Sequence, residues 1–561
     1  MDGLVRRVVP RPAVREWCEK HGFSPDLVAR WTEWLPDPKP LLASFLKPVP
    51  RYLRLNPLRG DADSLEASLT GRGFELERVG SPDPAIPAWR IVKEPFAVSS
   101  TPEHLDGRFY LQDLASLSAP AALGAQAGER ILDMAAAPGG KTTAISGTTG
   151  DAAHVLAVEP VPHRAAALTS NLRRLGVRGV GVVTARGEDI EGEALFDRIL
   201  LDAPCTGEGV LPRDRLRRTG TLEEHETLAR LQRVLLDAAV RLLKPGGVLV
   251  YSTCTFAPEE CEEAVLHAVG RGLVTEPLPF DDLGGIPLSP ALEGVGEERF
   301  DQAVRHARRA YPNKHHTLGF FVARLRKPVD WDPSLLPKSA PPKVDATALD
   351  LFSSEDEGPV AVDDGEIEEI PLPPGSPPEA TLRGADPPEL EAFDSAIAAY
   401  GEGVRAQLEA DGILKTLERK DITPHRRLIW TRRDDVAAFA PFAPIALGIT
   451  LATLSRKGAR LTLEGARAIA PFARRGTVRV DAKGEQLFLY GRHLLVRSLT
   501  HWDRPLEPGA DVLVLSADGR FLGQGRVELP LHNRRPDIKE LAVTNLADLG
   551  LYLRAQQKVP E

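Results

Sequence analysis

Hydrophobic positions follow two rhythms along the first 330 residues. The short apolar runs ILDM (131–134), HVLAVE (154–159), RILLDAP (198–204) and GVLVYST (247–253) have the length and β-branched content of buried strands. Longer stretches of helical period lie between them, HRAAALTSNLRRLG (163–176) and ETLARLQRVLLDAAVRLLKPGG (226–247). In the second, Leu228, Leu231, Val234, Leu235, Ala238 and Leu242 fall on one face, and Pro245-Gly246-Gly247 is the predicted stop. Strand alternating with helix predicts an α/β, mostly parallel sheet over residues 101–330. Residues 1–100 mix a helical pattern (VREWCEKHG) with strand-like runs (YLRLNPL, WRIVKEP) and predict a separate α+β region.

The rhythm breaks at residues 331–393, which are rich in proline and acid. Such a stretch cannot bury enough apolar surface to offset chain entropy, so a flexible linker is expected there. Beyond it, residues 394–476 combine helix (FDSAIAAYGEGVRAQLEADG) with short strands, an accessory α+β module. Residues 477–561 give closely spaced strands (TVRV, EQLFLYG, DVLVLSA, FLGQGRV) and a hairpin signal at Ala517-Asp518-Gly519, which predicts a small β-barrel-like module.

Charge changes the picture only through its distribution. The net charge is −9. Residues 331–394 hold 3 Lys/Arg against 16 Asp/Glu, so the remainder is slightly positive, and residues 395–561 carry 26 basic against 19 acidic residues, a surplus of 7. A nucleic-acid partner is therefore compatible with the chain. A hydrophobic content of 42% is that of a globular protein, and no run approaches the ~20 apolar residues of a membrane span. The N-terminus lacks the apolar stretch of a secretory signal, which predicts a cytoplasmic protein without membrane partners. There are four cysteines, Cys18, Cys205, Cys254 and Cys261, and no C-x-x-C pair, so neither a metal ribbon nor a redox motif is expected. Cys18 and Cys261 read as small buried hydrophobes.

In open parallel sheets, ligands bind beyond the carboxyl ends of the strands. Four predicted strands end here in chemically loaded residues. The first runs into DMAAAPGGK, a small-residue loop before a helix start, suited to close approach of a ligand to the backbone. The second ends in Glu159, whose carboxylate suits the hydroxyls of a ribose. The third ends in Asp202, Pro204 and Cys205, and the fourth in Thr253 and Cys254. Two of four cysteines thus stand at adjacent strand tips over the presumed cofactor loop. A cysteine thiolate adding to carbon 6 of a cytosine makes carbon 5 nucleophilic enough to accept a methyl group.

These motifs resemble those of the RNA cytosine-5 methyltransferases. RYLRLNPLR (51–59), FYLQDLASL (109–117), DMAAAPGGK, LDAPCTGEG, YSTCT and HHTLGFFVARLRK (315–327) occur in the order that family shows. The resemblance implies a Rossmann-like class I methyltransferase domain binding S-adenosylmethionine. Ala135, Ala136, Ala137, Pro138, Gly139, Gly140 and Lys141 would cradle its methionine part, and Glu159 would hold the ribose with Arg164 nearby. Cys254 would be the nucleophile and Cys205 would assist release of the product. Asp202 would line the site and orient the cytosine, Lys141 would add positive charge, and Arg54 and Asn56 would contact RNA. FYLQDLASL would be the helix entering the cofactor fold. The family's acidic contact after the third strand is missing, since GVVTARGED places Ala185 and Arg186 there; Glu188 or Asp189 could substitute. ALGITLATLSRKGARLTLEGARAI (446–469), GRFLGQGRV (519–527) and LHNRRPDIKEL (531–541) resemble the extension of the bacterial 16S ribosomal RNA branch, the last module being PUA-like. A monomer acting on ribosomal RNA or the small subunit is implied, with tRNA as the alternative. Two other classes remain at this level: a P-loop NTPase, because GGKTT followed by RILLDAP mimics its motifs although position 135 is Ala, and a catalytically silent RNA-binding protein of the same fold.

Overall fold

Four parallel strands carry the centre of the computed structural model: Arg130–Asp133, His154–Val158, Phe196–Asp202 and Leu243–Thr253. The structure describes residues 5–337, 368–369 and 380–550, except 36, 215, 420–421, 424–425, 504 and 532–538. The chain divides into two units, one of Met1–Pro95, Arg108–Val161 and Ala185–Ser354, the other of Phe96–Gly107, Pro162–Thr184 and Glu355–Glu561.

In the first unit the four strands lie in the order second, first, third, fourth, and the antiparallel strand Phe320–Arg326 extends the sheet beside the fourth. The chain therefore leaves the first strand in one lateral direction and returns to lie on its other side, which opens a crevice at the strand ends. The third and fourth strands pair in parallel with Asp202 opposite Ser252. Both faces of these strands are buried, as their apolar runs predict: Ile131, Leu132, Leu156, Ile199, Leu200, Leu201, Leu249 and Val250 are essentially solvent-free.

The long helix Leu222–Leu242 begins at a capping box formed by Thr221 and Glu224. It ends three residues before the predicted Pro-Gly-Gly stop, because Lys327 Nζ donates to the carbonyls of Val240 and Leu243, each at 2.8 Å. Lys244 to Gly247 then form an irregularity in the strand pairing rather than a helix terminus.

The N-terminal region is an α+β element of this same unit. Arg51–Leu55 is an inner strand of a four-stranded antiparallel sheet, between Ala88–Lys93 and Phe109–Leu111. FYLQDLASL is therefore not one helix: Phe109–Leu111 is a strand, only Ala115–Leu117 form a 3-10 turn, and the α-helix starts at Ser118. Its aromatic and β-pairing residues are used by the sheet. Helix Pro25–Trp34 packs Trp31 into a cluster with Phe23, Phe45, Leu211, Phe256 and Tyr311, so the N-terminal helices bury the loops beyond the third and fourth strands. Cys18 sits solvent-free in that cluster, as a small hydrophobe would.

The second unit contains both C-terminal modules. A five-stranded antiparallel sheet runs Ala380–Gly384, Ile413–Arg419, Arg426–Thr431, Ile449–Ser455, Gly458–Leu461. A six-stranded sheet of nearly closed form follows, with the hairpin Asp511–Leu515 to Phe521–Val527 turning through Gly519 at φ +88° as the Ala-Asp-Gly signal predicts. The expected linker is shorter than its composition suggests. Ala380–Gly384 is a strand, and Pro387–Ile397 is a helix started by a capping box of Asp386 and Glu389. At the other end Trp331 stacks under Lys327 and donates to the carbonyl of Arg271. Residues 338–367 and 370–379 of that segment, most of LHNRRPDIKEL, and 551–561 of the last module lie outside the described residues.

Two stretches of the predicted methyltransferase region pack within this second unit. Val180–Val183 pairs antiparallel with Ala446–Leu447. Arg178 lies over the Trp430 ring at 4.5 Å and bonds Asp411 at 2.7 Å. Arg467 donates to the carbonyls of Arg174 and Asp106. Gly107 turns at φ +69° directly against Arg174, where an added Cβ would stand 2.1 Å from the carbonyl oxygen. Gly107→Ala is therefore expected to destabilise this unit by about 2–4 kcal/mol, combining left-handed strain with overpacking. Urea unfolding followed by tryptophan fluorescence checks this; an unchanged midpoint would mean that the segment can leave its partner freely.

Candidate functional site

The register of the third and fourth strands sets the site. Cys205 lies three residues beyond Asp202, and Cys254 two beyond Ser252, so the two thiols leave adjacent strand tips together. Their sulfurs are 3.3 Å apart, and the Cys254 N–H also points to Cys205 Sγ at 3.3 Å. Cys205 is buried and Cys254 half-buried. The hydrogen bond with Cys254, then burial, then the charge of Cys254 push the Cys205 thiol well above its usual range.

Lys141 and Asp202 form an ion pair beside the thiols. Burial alone would lower the ammonium, but the charge and hydrogen bond of Asp202 outweigh it and raise it. Ser252 Oγ donates to the other Asp202 oxygen at 2.7 Å, and the Lys141 ammonium lies 5.5 Å from the Phe320 ring centroid.

The small-residue loop after the first strand is held by its backbone. Met134 N–H donates to Leu200 O, Ala136 N–H to Val158 O, and Gly139 N–H to Ala136 O, at 3.0, 3.0 and 2.8 Å. Gly139 takes φ +100° before helix Gly140–Thr148, and a Cβ on Gly140 would approach Tyr110 to 3.2 Å. Ala137-Pro138 is cis. Asp133, solvent-free at the strand end, accepts from Thr142 at 2.7 Å through one oxygen. Its other carboxylate oxygen is buried without a hydrogen-bond partner among the described residues. Burial lifts this carboxyl to about 6 against the opposing hydrogen bond of Thr142. Glu159, 1% exposed, follows the second strand and accepts from the Val161 N–H at 3.0 Å.

Arg164 is the third residue of helix Pro162–Leu175, an element of the second unit. Arg54 and Asn56, expected on an RNA-contacting face, are 0% and 1% exposed. Arg54 lies on the inner strand, and Asn56 follows it as the N-cap of the 3-10 turn Pro57–Arg59. Arg54 stacks on Tyr110 and donates to Gln112 Oε1, Gly140 O and Thr143 Oγ1 at 2.7, 2.9 and 2.7 Å, and Asn56 caps Leu58 N–H. Arg54 thus braces the start of the helix after the loop. Beyond that loop, Glu188 is engaged by Arg186 and Asp189 faces solvent.

The sequence reading missed the buried polar framework behind the cysteines. Glu208, in LDAPCTGEG, accepts from Trp31 Nε1, Phe256 N and Thr255 Oγ1 and faces His225 Nε2 at 3.1 Å. Glu260, in APEE, accepts from Thr206 N and Oγ1 at 3.0 and 2.6 Å and from Gln232 at 2.9 Å. Thr206 and Thr255, the residues after the two cysteines, share a hydrogen bond of 2.8 Å. Acidic residues within the motifs were the visible signal; Trp31, His225 and Gln232 carry none. Gly209 locks the two loops together, its N–H bonding Cys254 O at 2.8 Å and its carbonyl accepting from Gly319. Cys261 also gains a place here: its thiol bonds Thr253 Oγ1 and the Thr255 carbonyl in the turn after Cys254.

Comparison with known proteins fits this geometry. Residues 120–326 match the family described as 16S rRNA methyltransferase RsmB/F, and residues 476–557 match the UPF0113 PUA domain. The 25S rRNA (cytosine-C(5))-methyltransferase nop2 of Schizosaccharomyces pombe is 35% identical over 299 residues, covering 51% of this chain and 48% of that protein. Ribosomal RNA small subunit methyltransferase F of Escherichia coli strain K12 is 36% identical over 293 residues, covering 51% of this chain and 59% of its own length. A crystal structure of a methyltransferase homologue from Pyrococcus horikoshii is 33% identical, covers 56% of this chain and 99% of that one, and has a TM-score of 0.49. The chain therefore spans 48% and 59% of the lengths of these two curated relatives. The matched stretch of residues 120–326 includes the DMAAAPGGK loop and both cysteine motifs.

His225 gives the framework a pH dependence. Burial alone would lower it, but the hydrogen bond and charge of Glu208 raise it to about 9. Its folded value thus lies above its unfolded value near 6.5. The contribution to stability is complete below about pH 6.5 and disappears as pH rises through about 9. Denaturant unfolding at pH 6 and pH 9.5 should show the loss. His225→Leu should destabilise by about 3–5 kcal/mol at pH 6, because Glu208 keeps a buried charge. The same pH slope in His225→Leu as in the parent would remove the assignment.

Proposed function

We propose that this chain, whose residues 120–326 belong to the RsmB/F methyltransferase family, transfers a methyl group from S-adenosylmethionine to carbon 5 of a cytosine in structured RNA, with 16S ribosomal RNA as the substrate. The observation that carries the reading is the thiol pair, 3.3 Å apart at the ends of adjacent parallel strands beside Lys141 and Asp202.

The residues present fit the cofactor. The loop from Ala135 to Lys141 offers small residues and a helix start, Glu159 is an acceptor for ribose hydroxyls, and Asp133 keeps a buried acceptor oxygen without a partner among the described residues. Bound there, S-adenosylmethionine supplies the methyl group. Arg54, braced against Gly140 and Thr143, positions this loop rather than touching RNA.

The roles of the cysteines follow from their unequal surroundings. Cys205 is buried and held protonated, so the half-exposed Cys254 is the thiol that attacks. Its sulfur adds to carbon 6 of the cytosine, and the electrons of the 5,6 double bond move to carbon 5. Carbon 5 would then bond the methyl carbon as the bond from that carbon to the sulfonium sulfur of the methyl donor breaks, which leaves that sulfur a neutral thioether. Transfer of the carbon 5 proton to solvent water re-forms the 5,6 double bond and expels Cys254 as a thiolate. Cys205, 3.3 Å from that departing sulfur, assists the elimination by donating an S–H hydrogen bond to the thiolate while keeping its own proton. Asp202, fixed by Lys141 and Ser252, presents its carboxylate where the cytosine amino edge would be held. The target base must leave its stack, which is cheapest in looped RNA.

Methyl transfer with labelled cofactor to small-subunit ribosomal RNA and to tRNA, followed by mapping, tests the substrate; label in tRNA alone would redirect the reading. Glu159→Ala should weaken cofactor binding by roughly 1–3 kcal/mol in calorimetry, by removing a buried acceptor. Cys254→Ala should give neither methylation nor adduct. Cys205→Ala should still transfer methyl and accumulate a protein–RNA adduct that survives denaturing electrophoresis, and the double variant should show none. An adduct in Cys254→Ala instead would reverse the two roles.

A further inference from the structure

The second unit contains a cavity of about 540 Å³ formed where its two sheets meet. Thr453, Ala459, Arg460, Leu461 and Leu463 line it from the five-stranded sheet and the helix that follows. Asp511, Gln524, Arg526 and Leu546 line it from the six-stranded one, with Tyr400 also in the wall. Three observations say that this space is built for a ligand. Tyr400 is 1% exposed and still lines the cavity, so the little surface it keeps faces that space. Arg460 is exposed at the rim, and no carboxylate pairs with its guanidinium among the described residues. Gln524 spends its amide N–H on the Thr462 carbonyl at 3.0 Å, which leaves its side-chain oxygen as an acceptor.

Tyr400 lines the cavity, so its hydroxyl can be satisfied by a ligand that occupies the space and accepts its bond. Burial, and then the charge of Asp511, push the Tyr400 hydroxyl up, so it stays protonated and donates. Asp511 itself is paired with Arg526 at 2.8 Å. The ligand must therefore offer an anion to Arg460, an acceptor to Tyr400, a donor to Gln524 and an apolar face to Leu461, Leu463 and Leu546. The volume exceeds what an inorganic anion needs and falls in the range of small-molecule sites.

We propose that this cavity receives one unstacked nucleotide of the bound RNA, with its phosphate on Arg460 and its base or ribose within reach of Tyr400 and Gln524. The proposal rests on the reading of the chain as an RNA methyltransferase. Single-stranded RNA is recognised by such splayed-out nucleotides, and residues 395–561 carry the positive surplus of 7 that would hold the neighbouring phosphates.

The test uses the full chain and small-subunit ribosomal RNA transcribed with 4-thiouridine. Photocrosslinks should map to the peptides around Arg460–Leu463 or Gln524–Arg526. Arg460→Ala should weaken RNA binding about three- to tenfold and lower the salt slope by about 0.7, the loss of one single-strand phosphate contact. Tyr400→Phe keeps the ring packing and should weaken binding by a similar factor at every salt concentration, with the slope unchanged. Thermal melts of both variants should match the parent; if Tyr400→Phe melts lower, crosslinking in the parent decides. Crosslinks that fall wholly elsewhere, or variants that bind RNA as the parent does, overturn the cavity assignment. A parent that methylates cytosine while both variants bind normally refutes the cavity alone. A parent that binds RNA through the cavity but transfers no methyl group refutes the proposed function alone.

Discussion

The parallel pairing of Phe196–Asp202 with Leu243–Thr253 sets Asp202 opposite Ser252, and the positions of both thiols follow from that register. A strand places alternate residues on opposite faces, so a slip of one residue would bury one cysteine and turn the other away. The register is held from behind by polar groups rather than by apolar packing alone. Thr206 and Thr255 bond each other, Glu260 grips the first of them, and Glu208 reaches the second together with the backbone of Phe256. Gly209 completes the clasp, because any side chain there would stand 2.4 Å from the Gly319 carbonyl and 2.7 Å from that of Cys254.

Burying this many charges is expensive unless each is matched. Arg30 pairs with Glu259 and Arg309 with Glu262, all four residues nearly solvent-free, and Glu208 is matched by His225. Glu260 has hydrogen-bond donors but no ion-pair partner among the described residues, and burial lifts its carboxyl to about 7 against the pull of His225 and Thr206. Such a network is a poor source of net stability, but it admits few alternative arrangements. The two thiols, 3.3 Å apart, stand directly in front of that framework.

The sequence made the strand ends legible because each chemically loaded residue follows its own apolar run within a few positions. Glu159, Asp202, Cys205 and Cys254 all stand where the runs place them. What it concealed was distant in the chain. Nothing in PDLVARWTEW marks Trp31 and Arg30 as partners of Glu208 and Glu259, more than 170 residues away. Arg54 was expected to contact RNA only because RYLRLNPLR resembles the RNA-contacting stretch of the family; its inner position in a sheet completed by Phe109–Leu111 could not be read from local pattern. The domain division had the same weakness. Composition separates residues 331–393 cleanly, yet Pro162–Thr184 packs with the C-terminal modules, held by Arg178 on Trp430 and by the Val180–Val183 pairing. A cut at residue 395 would thus strip partners from a segment that follows Glu159 directly, and a change in cofactor affinity after such a cut would not by itself implicate the removed modules in cofactor binding.

Two like groups 3.3 Å apart do not ionise independently: the first charge raises the cost of the second. In the proposed reaction this coupling is useful, since the two steps need opposite protonation states at neighbouring sulfurs. Attack requires one thiolate with access to the base; elimination is eased by a proton close to the leaving sulfur. Burial breaks the symmetry. Cys205, buried and followed by Thr206, whose N–H bonds Glu260, keeps its proton, while Cys254 is the more exposed of the pair with the Lys141 ammonium among its neighbours. Exchanging the two roles would require the enclosed sulfur to reach the base past the exposed one. On this argument the proposed division of roles rests on the depth of each thiol rather than on the identity of either motif.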